Sequence, residues 1–153
     1  MRVPDHKVQA PWRFIVFDGK ARGDFGAELH KAYLARESRP TKEQEEIERT
    51  RFMRAPVVIA AITSFKEKPG VPRSEQVLST GAACMNMVNA VAALGYASQW
   101  VTEWTAYDET IKKAMGLDGD EEIAGLVYIG TPTVTPKPRR RPEVKDVVSY
   151  WGE

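Results

Sequence analysis

Two histidines (His6 and His30), one cysteine (Cys84) and the run Arg139-Arg140-Arg141 are the side chains of this 153-residue chain best suited to bind or move charge. A single cysteine forbids an internal disulfide framework and any cysteine-rich metal site, and two histidines are too few for a histidine-based zinc centre. No Gly-x-Ser-x-Gly elbow, no Walker loop and no Gly-x-Gly-x-x-Gly after a strand occurs. A nucleotide, if bound, must then be held by dispersed loops, backbone amides and arginines. Cys84 lies amid apolar residues and is expected to be inert. Lysine plus arginine number 22 against 21 aspartate plus glutamate, so no global field recruits nucleic acid or an anionic membrane, and three arginines make a small footprint for nucleic acid. The longest apolar run, Gly81 to Tyr96, is broken by Asn86 and Asn89 and falls short of a membrane span. There is no signal-like start, so a reducing cytoplasm is the default location.

These groups must be placed by a modest set of elements. A polar, proline-bounded loop, Arg2 to Pro11, runs into an aromatic and β-branched strand at Trp12–Phe17, closed by Asp18-Gly19. Phe25, Leu29 and Tyr33 share one face of a helix over Ala21–Ala35. Thr41 with Gln44 forms a capping box opening a charged helix to about Arg54, expected to be peripheral. Val57–Thr63, entered through Pro56, has the length and branching of a strand buried on both faces. After a loop with Pro69, Gly70 and Pro72, Ser74 is the expected N-cap of a long helix to Leu94, with Gly95 at its C-terminus. The second half of that helix is apolar on nearly every side and so is expected to be buried all round. A short strand over Tyr96–Thr102, a helix capped by Thr105 with Asp108 and ending near Met115-Gly116, and a strand at Ile123–Ile129 complete the ordered part. From Thr133 to Glu153 the chain is an extended tail. Its Val144, Val147, Val148 and Trp151 form one apolar face of a short helix starting near Pro142.

Strands are few and one helix is more apolar than any strand, which fits an α+β layered domain better than a doubly wound parallel sheet. One domain's worth of chain buries roughly 70% of its unfolded surface, yet the long helix needs more covering than these elements supply. Its small residues, Ser79, Gly81, Ala82 and Ala83, permit close approach, so a second copy is the expected cover and the tail is expected to embrace it.

Four segments together carry a resemblance to the FMN-dependent nitroreductase family. They are the loop Arg2 to Phe17 with its Pro4-Asp5-His6 turn and Pro11-Trp12-Arg13-Phe14 strand entry; Ala55-Pro56-Val57-Val58-Ile59; the helix Ser79–Leu94 running through Gly95-Tyr96 to Trp100; and Val127-Tyr128-Ile129-Gly130-Thr131-Pro132. Each is weak alone, but their order and spacing are specific and span nearly the whole chain. The resemblance implies a single nitroreductase-like domain over residues 1–153, with 133–153 as its tail. Its layered fold would have a central, mainly antiparallel sheet flanked by helices, one of them long and buried, in a homodimer. It also implies that an Arg-Arg-Ser phosphate element and first helix should precede residue 2, so that the domain is expected to be N-terminally truncated. By the same resemblance Arg2 and His6 contact the flavin, Trp100, Val101 and Thr102 meet its ring chiefly through backbone, and Arg140 and Arg141 reach its phosphate. Ala90, Val91, Ala92, Ala93, Leu94 and Gly95 match a nicotinamide-dinucleotide stretch. Residue chemistry alone favours a loop histidine for His6 and a helix end with its cap for Ala90–Gly95, and suits Trp100 equally as a core residue at a strand end and the arginines equally as a solvated tail. Phe65, Trp104 and Tyr107 either line a substrate face or belong to the core, while Glu75 and Gln76 read as a helix-terminal surface pair. Where relatives carry Gln or Asn before the Pro-Trp pair this chain has Ala10, with Gln9 one residue earlier.

The activity implied is an NAD(P)H-dependent flavin oxidoreductase. A hydride would pass from NADH or NADPH through FMN to a small electrophilic acceptor, a nitro-aromatic or quinone, in a ping-pong scheme in which the chemistry belongs to the cofactor. The rival is a flavin-binding or structural remnant without turnover.

Overall fold

A computed structural model describes residues 2–68, 70–135 and 137–152; Pro69 and Glu153, named above, lie outside the described residues. Strand β1 (Trp12–Asp18) leads to helices α1 (Gly19–Arg36) and α2 (Lys42–Arg49), a tight helical turn at Arg51–Arg54 and strand β2 (Val57–Thr63). Then follow α3 (Arg73–Ala93), β3 (Ala97–Val101), a turn at Trp104–Ala106, α4 (Glu109–Ala114), β4 (Glu122–Gly130) and an isolated turn at Val144–Asp146. The sheet has the order β1-β2-β4-β3, and every neighbouring pair is antiparallel. The fold is α+β.

The sheet separates two layers of helix. On one face Phe17, Val58, Ala60, Ile62 and Leu126 meet Phe25 and Leu29 of α1, Phe52, and Ile111 of α4. Phe17, Phe25 and Phe52 form a triangle with ring centroids 4.8, 5.0 and 5.2 Å apart, the three pairs being tilted, edge-on and stacked respectively. The alternate residues, Ala61 and Val127 among them, are buried on the other face, where α3 crosses all four strands. β2 is therefore covered on both sides, as its unbroken apolar run demands.

Several expectations need correcting. The segment Thr41–Arg54 is not peripheral: it breaks after Arg49, and the following turn places Phe52 wholly in the core with Arg51 and Glu48 buried beside it. Charge content alone concealed this, because a carboxylate paired with a guanidinium can be buried where neither could be alone. α3 starts one residue before Ser74, with Pro72 in the capping position, since the fixed φ of proline already sets the entry of the chain. The cap of α4 is Asp108, which accepts from the Thr110 and Ile111 N–H groups, while the Thr105 hydroxyl donates to the Thr102 carbonyl. Nor is α3 buried all round. Gln76, Ser79, Thr80, Ala83, Cys84 and Val91 face the sheet, but Leu78 is 72% exposed and Met85 49%, because one chain offers a cover on one side only. The expected tail helix shrinks to the turn Val144–Asp146, and its apolar residues, with Trp151, are uncovered. No helix of the described residues is long and apolar enough to cross a membrane.

Candidate functional site

The loop before β1 is built around Asp5. Its carboxylate accepts from the Gln9 N–H at 2.9 Å and the Ala10 N–H at 2.8 Å, and the Gln9 side chain donates to the His6 carbonyl at 3.1 Å. Lys7, Val8 and Ala10 all have positive φ, 59°, 52° and 46°. Non-glycine residues adopt this region at a cost of about 1–3 kcal/mol each, and such clusters persist only where surrounding bonds over-determine them. Here the Asp5 carboxylate supplies those bonds. Pro11 is pinned in turn: its carbonyl accepts from the Ser64 N–H at 2.9 Å and the Thr80 hydroxyl at 3.2 Å, so the loop is fixed to β2 and α3 together.

α3 meets this loop through its first turns. His6 Nδ1 lies 2.6 Å from Glu75 Oε2, and both side chains are about half-exposed. Gln76, expected at the surface, is buried and uses both ends of its amide on the Lys66 backbone, at 2.8 and 3.0 Å. Beneath them a narrow slot contains Gln9 Oε1 and Ser79 Oγ, two buried oxygens without a hydrogen-bond partner among the described residues. Phe65 stacks under the Arg73 guanidinium at 3.5 Å beside this loop.

The second component is the end of β3. Trp100 lies flat across β4, donating from Nε1 to the Ala124 carbonyl at 3.2 Å. Only glycine permits this: a Cβ on Gly125 would fall 1.8 Å from Trp100 Nε1. The indole closes one side of an apolar groove of about 480 Å³ whose other wall is Val77, Leu78, Gly81 and Met85 of α3. Val101 points the other way, into the α1 core, so its side chain is not available to a ligand. Thr102 is half-buried, and Glu103 has φ 53° and ψ −171°. Its carboxylate is paired with buried Arg51, which is also paired with buried Glu48. Trp104 Nε1 donates to Glu48 at 3.2 Å while its ring meets Tyr33 and the Arg36 guanidinium, which places Trp104 in the packing rather than on an open face. Tyr107 is exposed.

Register shows which segments share an end of the sheet. Trp12 pairs with Thr63, Thr63 with Glu122 and Val101 with Leu126, so the His6 loop and the Thr102–Glu103 turn leave the sheet at the same end. Arg2 is exposed near that loop, its carbonyl accepting from Asn86. Ala90–Gly95 lies at the opposite end. There Tyr96 N–H donates to Val91 and Gly95 N–H to Ala92, with Gly95 at φ 83°, which is a Schellman cap and so a structural role complete in itself. Arg140 and Arg141 are exposed on the tail beside Glu143 and Asp146. Arg139 instead joins Arg54, Ser98 and Tyr128 around a cavity of about 510 Å³, again at the far end of the sheet. The Tyr128 hydroxyl has no hydrogen-bond partner among the described residues, and burial pushes its pKa up. Burial also pushes the Cys84 thiol up to about 11, well out of nucleophilic range. Asp5, Glu48, Arg51 and Glu103 were missed as supports of the site, for their partners are set by the fold.

An antiparallel four-stranded sheet carrying a long helix on one face, with a strained polar loop before one edge strand and a strained turn after the other, both toward the same end, defines a layered α+β domain with a candidate surface site. The model of the Nitroreductase family matches residues 1–131. The chain is 34% identical over 134 residues, 86% of its length and 71% of the relative's, to the Escherichia coli K12 protein named "Putative NAD(P)H nitroreductase YdjA". Among solved structures it is similar to a nitroreductase-like family protein from Bacillus cereus, with TM-score 0.83 and 19% identity, covering 99% of this chain and 79% of that one. The FMN and NADPH-dependent nitroreductase NfnB of Sphigopyxis sp. strain HMH gives TM-score 0.75 at 17% identity, covering 99% and 85%. The chain belongs to the nitroreductase family.

Proposed function

We propose that the chain is an NAD(P)H-dependent flavin oxidoreductase that uses FMN to reduce a small electrophilic acceptor, a nitro-aromatic or quinone, in a ping-pong scheme. The observation that carries this reading is that the Asp5-braced His6 loop and the Glu103 turn, one on each edge strand, leave the sheet toward the same end. The donor set suits FMN. His6 is held by Glu75 through Nδ1, and its Nε2 makes no hydrogen bond among the described residues, leaving one imidazole nitrogen for a polar edge of the flavin. The backbone of Val101–Glu103 offers a flat approach with no protruding side chain from Val101. When bound, FMN supplies hydride acceptance and donation; the protein's part is to bind, orient and exclude water.

His6, with Arg2 nearby, places a hydrogen-bonding or cationic group where it favours an anionic cofactor state, which tunes the potential. Arg140 and Arg141 suit the phosphate by charge and fork geometry. The tail leaves the sheet at the end opposite His6, so one flavin touching both sets draws them from two copies of the chain. A homodimer accordingly belongs to this reading. Donor and acceptor occupy the same exposed flavin face in turn, with Phe65 and the groove beside Trp100 nearest to it.

The test is the visible spectrum of the purified chain before and after addition of FMN and gel filtration, followed by anaerobic NADH or NADPH. A retained flavin band that bleaches supports the reading. Failure to retain flavin at saturating FMN, or a retained band indifferent to both donors, refutes it.

A further inference from the structure

We propose that Arg51 is a positioning residue for the turn that follows β3: its ion pair with Glu103 holds a backbone conformation that only glycine adopts freely, and so fixes the surface offered to the flavin. The proposal rests on the FMN reading above. Glu103, at φ 53° and ψ −171°, lies at the edge of a region that is essentially reserved for glycine. It carries a Cβ and a long side chain all the same. What compensates is an anchor beneath it. Arg51 and Glu48 are each 6% exposed, and Arg51 Nε donates to Glu48 Oε2 at 2.7 Å while a second nitrogen meets Glu48 Oε1. Trp104 Nε1 adds a third bond to Glu48. The guanidinium is thus immobilised before Glu103 is considered, and its remaining nitrogen takes the Glu103 carboxylate.

Glu103 is the exposed arm of the network, its side chain 40% accessible against 7% for Arg51. Removing it leaves Arg51 paired with Glu48, so no buried charge is stranded and the fold survives. Two weaker bonds, from the Thr105 hydroxyl to the Thr102 carbonyl at 3.3 Å and from the Ala106 N–H to the Glu103 carbonyl at 3.4 Å, complete the turn but do not select its left-handed residue.

The experiment compares Glu103→Ala, Glu103→Gly and Arg51→Lys, the last alone and combined with Glu103→Gly, in the full chain. Lysine keeps a charge for Glu48 but cannot span two carboxylates. FMN affinity is read by quenching of flavin fluorescence, and the thermal midpoint is read without flavin. Glu103→Ala keeps the strain and loses the tie, so FMN affinity falls about tenfold. Glu103→Gly loses the tie but needs none, so affinity stays within about threefold of wild type. Arg51→Lys weakens binding alone and leaves it unchanged in the Glu103→Gly background. Wild-type affinity in Glu103→Ala, a loss in Glu103→Gly as large as in Glu103→Ala, or an undiminished effect of Arg51→Lys in the glycine background each overturns the proposal. Should the wild-type chain bind no FMN, the cofactor reading fails, and the midpoints still decide the tie. A midpoint loss on Arg51→Lys that shrinks in the Glu103→Gly background upholds it; a loss of the same size in both backgrounds overturns it.

Discussion

Glu121 shows how much one surface-adjacent carboxylate can contribute when its partners converge. Arg13 donates to both of its oxygens, at 2.8 and 2.5 Å, and the Asp118 N–H adds a bond at 3.1 Å. The Arg13 guanidinium first of all, with the Asp118 N–H and Ser64 hydroxyl, holds the carboxyl down to about 2 from an ordinary 4.5. A carboxyl that titrates lower in the folded chain stabilises fully above its unfolded pKa, and the stabilisation drains away as pH falls through its folded value. Stability should therefore decline between about pH 5 and pH 2, and Glu121→Gln should flatten that limb while costing about 1–2 kcal/mol at neutral pH, because Arg13 is partly screened. Urea titrations at a series of pH values check both. At the same scale, Gly125→Ala drives a methyl into the Trp100 indole. The ring must leave β4, destabilising by about 1–3 kcal/mol and red-shifting tryptophan emission as its Nε1 bond to Ala124 is lost. Neither role is visible in sequence: Gly125 reads as an ordinary strand residue, and Arg13 and Glu121 are far apart in the chain.

Among the elements, the loop from Asp5 to Ala10 is the one whose shape depends most on a single side chain. Asp5→Ala removes the acceptor for two backbone N–H groups while three residues remain in left-handed conformations. The loop should relax, with a loss of about 1–3 kcal/mol in stability and a larger fractional loss in FMN affinity, measured by thermal unfolding and flavin titration. β1, β2, α1 and β4 were legible because local composition dictates them: apolar runs, periodicity and turn residues all fall within a few positions. The capping box at Thr41 was legible too, and both of its bonds form, at 2.8 and 3.2 Å. What could not be read was the end of the charged segment, where Glu48 and Arg51 are buried because Glu103 and Trp104 arrive from across the fold. A non-glycine left-handed residue leaves no local signature, so Lys7, Val8, Ala10 and Glu103 passed unnoticed.

For the molecule as a whole, the uncovered features share a cause. Leu78 and Met85 on α3, Trp100 at the groove, and Val144, Val147 and Trp151 on the tail form more exposed apolar surface than an isolated chain comfortably carries. The full chain should run as a dimer in size-exclusion chromatography with light scattering at micromolar concentration. Leu78→Glu should shift it to monomer and, if two copies share each flavin, release FMN as it does so. A monomeric wild type would remove the homodimer from the functional reading. The apolar surplus of the central helix was apparent from its sequence alone; that one face of it would be satisfied by the sheet and the other left open needed the topology.

That topology also sets a timetable. Among the described residues no two strands adjacent in sequence form a tight hairpin: β2 lies between β1 and β4, and its Val57 must find Ile129. Synthesis proceeds at roughly 5–20 residues per second, so β2 emerges on the order of several seconds before the partner that completes it. For that interval a seven-residue apolar, β-branched segment has one free edge, the composition that pairs most readily with other nascent chains. The strand that makes the sheet stable is also the one that most needs a chaperone's shelter while the chain is being made.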